Sequence, residues 1–244
     1  MQKNILLVQS RRRPDMLAIE QQEFTIAAGD GAKLTFISAL DTTAPWSEPE
    51  KIVAGYDAVI LGGSGEFDID GGRDPEDEGQ RIALEILARL TPLMAFLVTN
   101  DKPTLGVCFG HQLIGEFQGG SVVSDPLQKK VGSHTVRTTE EASTDVLFAQ
   151  MPQVFVAQYG HKDSLSTLPR GATLLGIGDQ CRFSALRYGQ HVYTVQFHPE
   201  MTAQNVFARL EKSPGYLPEG VDVKNIVQES PEASTLIARF IALV

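Results

Sequence analysis

What most limits the folding of this chain is a set of four strand candidates in its first half, all but KLTFIS carrying a continuous apolar stretch. They are Ile5-Leu6-Leu7-Val8, KLTFIS at 33–38, YDAVILGGSG at 56–65 and PTLGVC at 103–108. A strand with one wet face alternates apolar and polar residues; a strand covered on both faces has no polar side to show. Helical segments separate the runs. One spans Pro14 to Ala28 and stops at Gly29, and EGQRIALEILARL at 78–90 is followed by another from Pro92. A third helix, FGHQLIGEFQGG, begins directly after the fourth run and ends at Gly119-Gly120. Buried strands alternating with helices predict an open, mostly parallel sheet with helices on both faces, an α/β architecture.

The second half has a different texture. HTVRTT (134–139), QVFVAQ (153–158), CRFSALRY (181–188) and HVYTVQF (191–197) are closely spaced strand candidates, the last two joined across Tyr188-Gly189-Gln190. They predict a small antiparallel extension. Residues 213–230, rich in proline and glycine, read as an irregular connection, and PEASTLIARFIALV closes the chain as a helix. With no repeat, low-complexity tract or linker, the expectation is one domain over residues 1–244.

A chain of 244 residues can bury a large core without disulfides or metals. Its 21 basic and 30 acidic residues give a net charge of −9, which repels phosphate backbones, so nucleic acid is not an expected partner. The one dense basic run, Arg11-Arg12-Arg13, is expected to form a solvated rim at a helix entrance. Two cysteines do not make a disulfide scaffold and point to a reducing cytoplasm. The apolar run at the N-terminus is too short for a signal peptide, and no stretch reaches the roughly 18 apolar residues of a membrane span. A cytoplasmic protein without a membrane partner is the expectation.

One cysteine has an unusual setting. Gly106 and Gly110 flank Cys108 at −2 and +2, between a buried strand and a helix. This is the spacing of a nucleophile elbow, a sharp turn that leaves no room for neighbouring side chains. A helix N-terminus also favours a thiolate. A packed core cysteine is the bland alternative. A metal site is not expected: Cys108-x-x-His111 is one ligand pair, and neither Cys181 nor His191 supplies a second. Asp68 and Asp70 in the acidic loop 66–79 start like a calcium loop, but Gly72 and Gly79 stand where further ligands belong. That loop is either a lid at a site mouth or a solvated connection.

A nucleophilic cysteine needs a base, and the base an orienting group. His198-Pro199-Glu200 follows a buried strand, and side chains two apart on extended backbone face the same way. Glu200 can therefore hold the His198 imidazole, although H-P-E alone would also suit a surface salt-bridge turn. Together, GVCFGHQ and QFHPE resemble the class I glutamine amidotransferases, with similarity in blocks from the YDAVILGGSG strand to QFHPE.

That resemblance implies a flavodoxin-like fold and a reaction in which cysteine attacks a γ-glutamyl amide, releases ammonia and leaves a thioester for water to cleave. It makes Cys108 the nucleophile, His198 the general acid/base and Glu200 its partner. Backbone N–H groups of Phe109 and Gly63 would form the oxyanion hole, and Gln112 would recognise glutamine. His161, in YGHKD, matches a substrate-side segment more loosely and is otherwise a structural histidine. No cofactor is implied. The expected ligand is glutamine or another γ-glutamyl compound, with a synthase partner to receive ammonia. A free-standing γ-glutamyl peptide hydrolase and a non-catalytic binding protein on the same fold are the alternatives. His134 and His191 read as structural or solvent-facing, and Cys181 as core packing.

Overall fold

The computed structural model describes residues 2–70, 72, 76–212 and 222–244. Part of the expected irregular connection (213–221) and part of the acidic loop (71 and 73–75) lie outside the described residues.

Each of the four candidates is a strand: β1 (Lys3–Gln9), β2 (Ala32–Ser38), β3 (Ala58–Leu61) and β4 (Thr104–Val107). They lie in the order β2-β1-β3-β4 with parallel pairings throughout. The reason for the unbroken apolarity of β1, β3 and β4 is visible in the packing, whereas β2 is the edge strand and keeps polar residues and partial exposure. Ile5, Leu7, Ile60 and Leu105 point to one face, against Phe24 of α1 (Pro14–Ala28). Leu6, Val8, Val59 and Leu61 point to the other. There they meet Ile52 of the short α2 (Pro49–Ile52), Leu90 and Leu93 of α3 (Glu78–Thr99) and Leu113 of α4 (Phe109–Phe117).

Helix α3 runs straight through Pro92, where the sequence predicts two segments. A proline inside a helix costs about 3 kcal/mol, but the stripe Ala83, Ile86, Leu90, Leu93, Met94 and Leu97 is buried on both sides of it and holds the helix together. By length and composition α3 passes the test for a membrane span, a feature not expected from the apolar runs; here its apolar stripe faces the sheet.

Seven strands follow β4: β5 (Val122–Ser124), β6 (Lys130–Thr138), β7 (Val154–His161), β8 (Asp163–Leu165), β9 (Ala172–Gly178), β10 (Cys181–Tyr188) and β11 (Val192–Val195). β5 and β8 form a separate pair, while the large sheet continues as β4-β11-β10-β9-β6-β7. β11 is parallel to β4, and every pairing beyond it is antiparallel. The antiparallel part is thus wider than the extension expected. β9 escapes a sequence reading because Gly176 and Gly178 dilute its strand signal; both are needed, since Cβ atoms there would press on Ala185 and Ser184. Helix α5 (Ala203–Lys212) follows β11, and the C-terminal helix is two pieces, α6 (Pro231–Ser234) and α7 (Leu236–Ala242). Phe240 of α7 joins the core on the α1 face.

Candidate active site

The carboxyl ends of β3, β4 and β11 converge, which is where open α/β sheets carry their sites. Between β4 and α4, Cys108 is held at φ 53°, ψ −98°. A non-glycine residue there stores on the order of 1–3 kcal/mol of strain, and the surroundings fix it. Its N–H donates to the Val195 carbonyl at 2.8 Å, and the Gly110 N–H to the Gly62 carbonyl at 3.1 Å. The flanking glycines have a steric reason. A Cβ at Gly106 would lie 2.9 Å from the Gly110 backbone, and one at Gly110 only 2.2 Å from the Leu61 carbonyl oxygen.

β11 delivers the base. Beyond Val195, the His198 N–H donates to the Gln158 carbonyl at 2.8 Å, which sets the ring. His198 Nδ1 lies 2.7 Å from Glu200 Oε1, both side chains buried, and the imidazole is close enough to the Cys108 sulfur to be influenced by its charge. Burial works against a charged ring, but the Glu200 carboxylate and the Cys108 sulfur outweigh it and push the His198 pKa up to about 10. Burial likewise works against an ionised Glu200; His198, and then Arg209, more than compensate and hold its pKa below the usual value. The arrangement can therefore keep a proton on a ring that faces a sulfur.

Gly63 sits against this pair: a Cβ there would lie 3.0 Å from His198 Cε1 and 3.7 Å from Cys108 Cβ. Phe109 opens α4 directly after the sulfur. Gln112 is buried one turn on, its amide nitrogen donating to the Asp163 carbonyl at 2.8 Å and to Gln196 Oε1 at 3.3 Å. Gln196 in turn directs its amide nitrogen at Cys108 Sγ, 3.7 Å away. His161 is buried, its Nδ1 at 2.9 Å from the Asp163 carbonyl, and burial lowers its pKa to about 3. His111 bonds Thr194 on β11 at 2.8 Å, and burial lowers its pKa to about 3.

The sequence profile described as "Glutamine amidotransferase class-I" matches residues 42–209, which include this elbow and the His-Pro-Glu segment. The chain belongs to that family. Relatives of this chain include Gamma-glutamyl peptidase 5 of Arabidopsis thaliana, 30% identical over 128 residues, 52% of this chain and 51% of the relative. The glutamine-hydrolyzing GMP synthase of Thermosipho melanesiensis is 36% identical over 108 residues, 44% of this chain and 20% of the relative. The chain thus spans about half the length of the first relative and a fifth of the second. A glutamine amidotransferase structure from Thermotoga maritima superposes with a TM-score of 0.69 at 17% identity, over 99% of this chain and 97% of that one. Another, from Methylobacillus flagellatus, gives 0.66 at 18%, over 99% and 95%. At that identity the likeness shows the flavodoxin-like amidotransferase fold.

Two residues of this candidate site were not anticipated. Gln196 obeys the same two-residue rule that singles out Glu200, counted backwards from His198, and that was its available signal. Arg11 corrects an expectation. Arg12 and Arg13 are solvent-exposed as a rim should be, but Arg11 is buried, its Nε 2.9 Å from Glu20 Oε1 on the inner face of α1. Its guanidinium Nη2 would lie 3.2 Å from a Cβ at Gly63, so a neutralised cation backs the glycine turn. Its position just past the end of β1 was the clue. Glu23, one turn after Glu20, pairs in the same way with Arg209 of α5.

The described part of the acidic loop packs rather than floating in solvent. Phe67 and Ile69 are buried, Asp68 pairs with Lys162 at 3.5 Å, and the Asp70 N–H donates to Asp163 Oδ2 at 2.8 Å. Asp70 Oδ2 accepts from the Ser124 N–H. Beside His198 a cleft of about 80 Å³ opens between α1, α5 and β7, with Arg11 and Glu66 also on its walls.

Proposed function

We propose that the protein hydrolyses a γ-glutamyl amide through a thioester on Cys108. The observation that carries this reading is the strained Cys108 set beside a His198 that Glu200 holds at 2.7 Å, both packed against Gly63. In the first half-reaction the Cys108 thiolate attacks the γ-carbonyl carbon. The oxyanion that forms accepts hydrogen bonds from the backbone N–H groups of Phe109 and Gly63, each such donor contributing on the order of 10²–10³ in rate. His198 gives its proton to the departing nitrogen, the C–N bond breaks, and ammonia or an amine leaves. In the second half-reaction neutral His198 takes a proton from water, the hydroxide attacks the thioester, and the C–S bond breaks. Glutamate departs, and Cys108 returns to a thiolate beside a protonated His198. Gln112 and His161 lie on the glutamyl side. Gln196 and Arg11 support the sulfur and the glycine turn.

Glutamine is the reference substrate, and the likeness to part of a glutamine-hydrolyzing GMP synthase supports a role in supplying ammonia to a synthase partner. A second reading, cleavage of larger γ-glutamyl compounds, is favoured by the cleft beside His198 and by the likeness to a γ-glutamyl peptidase. The shared chemistry is tested with 6-diazo-5-oxo-norleucine, a glutamine-derived electrophile. Peptide mass spectrometry should find the label on Cys108, and Cys108→Ala should abolish glutamate release. Labelling elsewhere, or hydrolysis that persists in Cys108→Ala, overturns the reading.

A further inference from the structure

The cleft beside His198 has no task in hydrolysing glutamine itself, whose departing group is only ammonia. Its place relative to the reacting atoms says what it can hold. A general acid must touch the nitrogen that leaves, so whatever is attached to that nitrogen lies on the His198 side of the scissile bond. The cleft has His198 in its wall, together with Met16 of α1, Val206 and Leu210 of α5, and Met201. Gln112 and Gln196 are not in its lining and bond instead to the Asp163 carbonyl and the Cys108 sulfur.

We infer that this cleft is a leaving-group pocket for an aliphatic α-amino acid, so that the preferred substrates are γ-glutamyl dipeptides such as γ-glutamyl-leucine. The inference rests on the thioester reading for turnover, but not for binding. Three observations define the occupant. The four side chains just named are apolar and close to fully buried, so they reward an apolar group. About 80 Å³ is more than a water needs and falls short of the roughly 150 Å³ cavity that accommodates benzene, which suits an aliphatic side chain better than an aromatic one. At the rim stands Arg13, its side chain 47% exposed and paired with its neighbour Asp15, a cation able to turn towards the carboxylate of the departing amino acid. Arg209, by contrast, is committed to Glu23 and keeps α5 against α1 as the outer wall. Bond changes are those of the thioester route: the γ-amide C–N bond breaks, and the His198 proton goes to the amine of leucine instead of to ammonia.

The experiment compares kcat/KM of the full chain for glutamine, γ-glutamyl-glycine, γ-glutamyl-leucine and γ-glutamyl-3-methylbutylamide, which is the leucine compound without its carboxylate. γ-Glutamyl-leucine should exceed γ-glutamyl-glycine by about 10-fold or more. Val206→Trp, which fills the cleft, should cut that ratio towards one. Arg13→Gln, a surface change that leaves the core untouched, should lower γ-glutamyl-leucine several-fold while sparing the 3-methylbutylamide. Equal kcat/KM for the leucine and glycine compounds, or equal losses on every substrate in both variants, overturns the inference and leaves the thioester reading standing. If no compound is hydrolysed, calorimetry on Cys108→Ala decides: γ-glutamyl-leucine binding tighter than glutamine supports the pocket, and equal affinity overturns it.

Discussion

Cys108 and Cys181 are both unpaired thiols, both buried to 2% exposure, and both adjoin strands of one sheet. Their surroundings have opposite electrical character. Around Cys181, burial pushes the thiol up to about 11, and it also pulls the nearby Lys130 below its usual value. Around Cys108, a histidine equally removed from water is driven up to about 10, because a carboxylate stands behind it and a sulfur in front. Burial alone makes a cysteine inert. What separates the two regions is a second buried charge placed to stabilise the first, together with a backbone that holds Cys108 in the left-handed region.

The largest expected difference is steric. Both cysteines have a crowded glycine nearby, but the crowding differs in kind. A Cβ at Gly110 meets the Leu61 backbone oxygen at 2.2 Å, whereas one at Gly178 meets side-chain hydroxyls, Ser184 Oγ at 2.6 Å and Tyr159 Oη at 2.9 Å. Backbone cannot step aside, and a hydroxyl rotor can turn. Gly110→Ala should cost roughly 3 kcal/mol or more, lowering Tm by about 10 °C or abolishing folding. Gly178→Ala should cost about half as much. Equal Tm shifts would mean that the elbow is no tighter than an ordinary hairpin.

The next effect is electrostatic. Glu200 raises the His198 pKa, so replacing it with neutral Gln leaves burial less opposed, and the pKa must fall. In the parent protein the His198 imidazole resonances should stay in the protonated position through neutral pH and titrate only near about 10. Glu200→Gln should move that titration down by a unit or more. If the proposed mechanism holds, Glu200→Gln should also lower kcat by about 10²-fold or more with little change in KM. An unchanged titration would sever the link between Glu200 and the ring; a large KM change with kcat intact would make Glu200 a binding residue.

How much of this was legible beforehand follows the same division. The parallel half announces itself, because strands buried on both faces leave unbroken runs such as Ile5-Leu6-Leu7-Val8, and the elbow carries its glycines in plain view. The contact between His198 and Glu200 was legible through strand periodicity. Other features depend on which surface meets which, and local pattern does not encode that. Arg11 reads like its exposed neighbours until Glu20 is seen on the inner face of α1. Pro92 reads as a break until the buried stripe of α3 is seen to continue across it. β9 was hidden by glycines that exist because Ala185 and Ser184 press against it.

The smallest effect probes the sulfur's own contacts. Gln196 directs an N–H at Cys108 Sγ from 3.7 Å and accepts from Gln112, whereas Cys181 has Ser184 beside it and Lys130 further off. A hydrogen bond of this kind contributes about 1 kcal/mol. Gln196→Leu, which keeps the volume and removes the donor, should therefore slow kcat by about 3- to 10-fold without unfolding the protein. Cys181→Ala should show the reverse pattern: turnover within about two-fold of the parent and a Tm about 2–4 °C lower, from roughly 1 kcal/mol of lost core packing. Circular dichroism melts and glutamate release, measured on both variants, separate the two cases. If Cys181→Ala lost activity while Gln196→Leu kept it, the division between a reactive and a packing cysteine would have to be redrawn, with the coupling running through the β10 strand that carries Cys181 and lies beside β11.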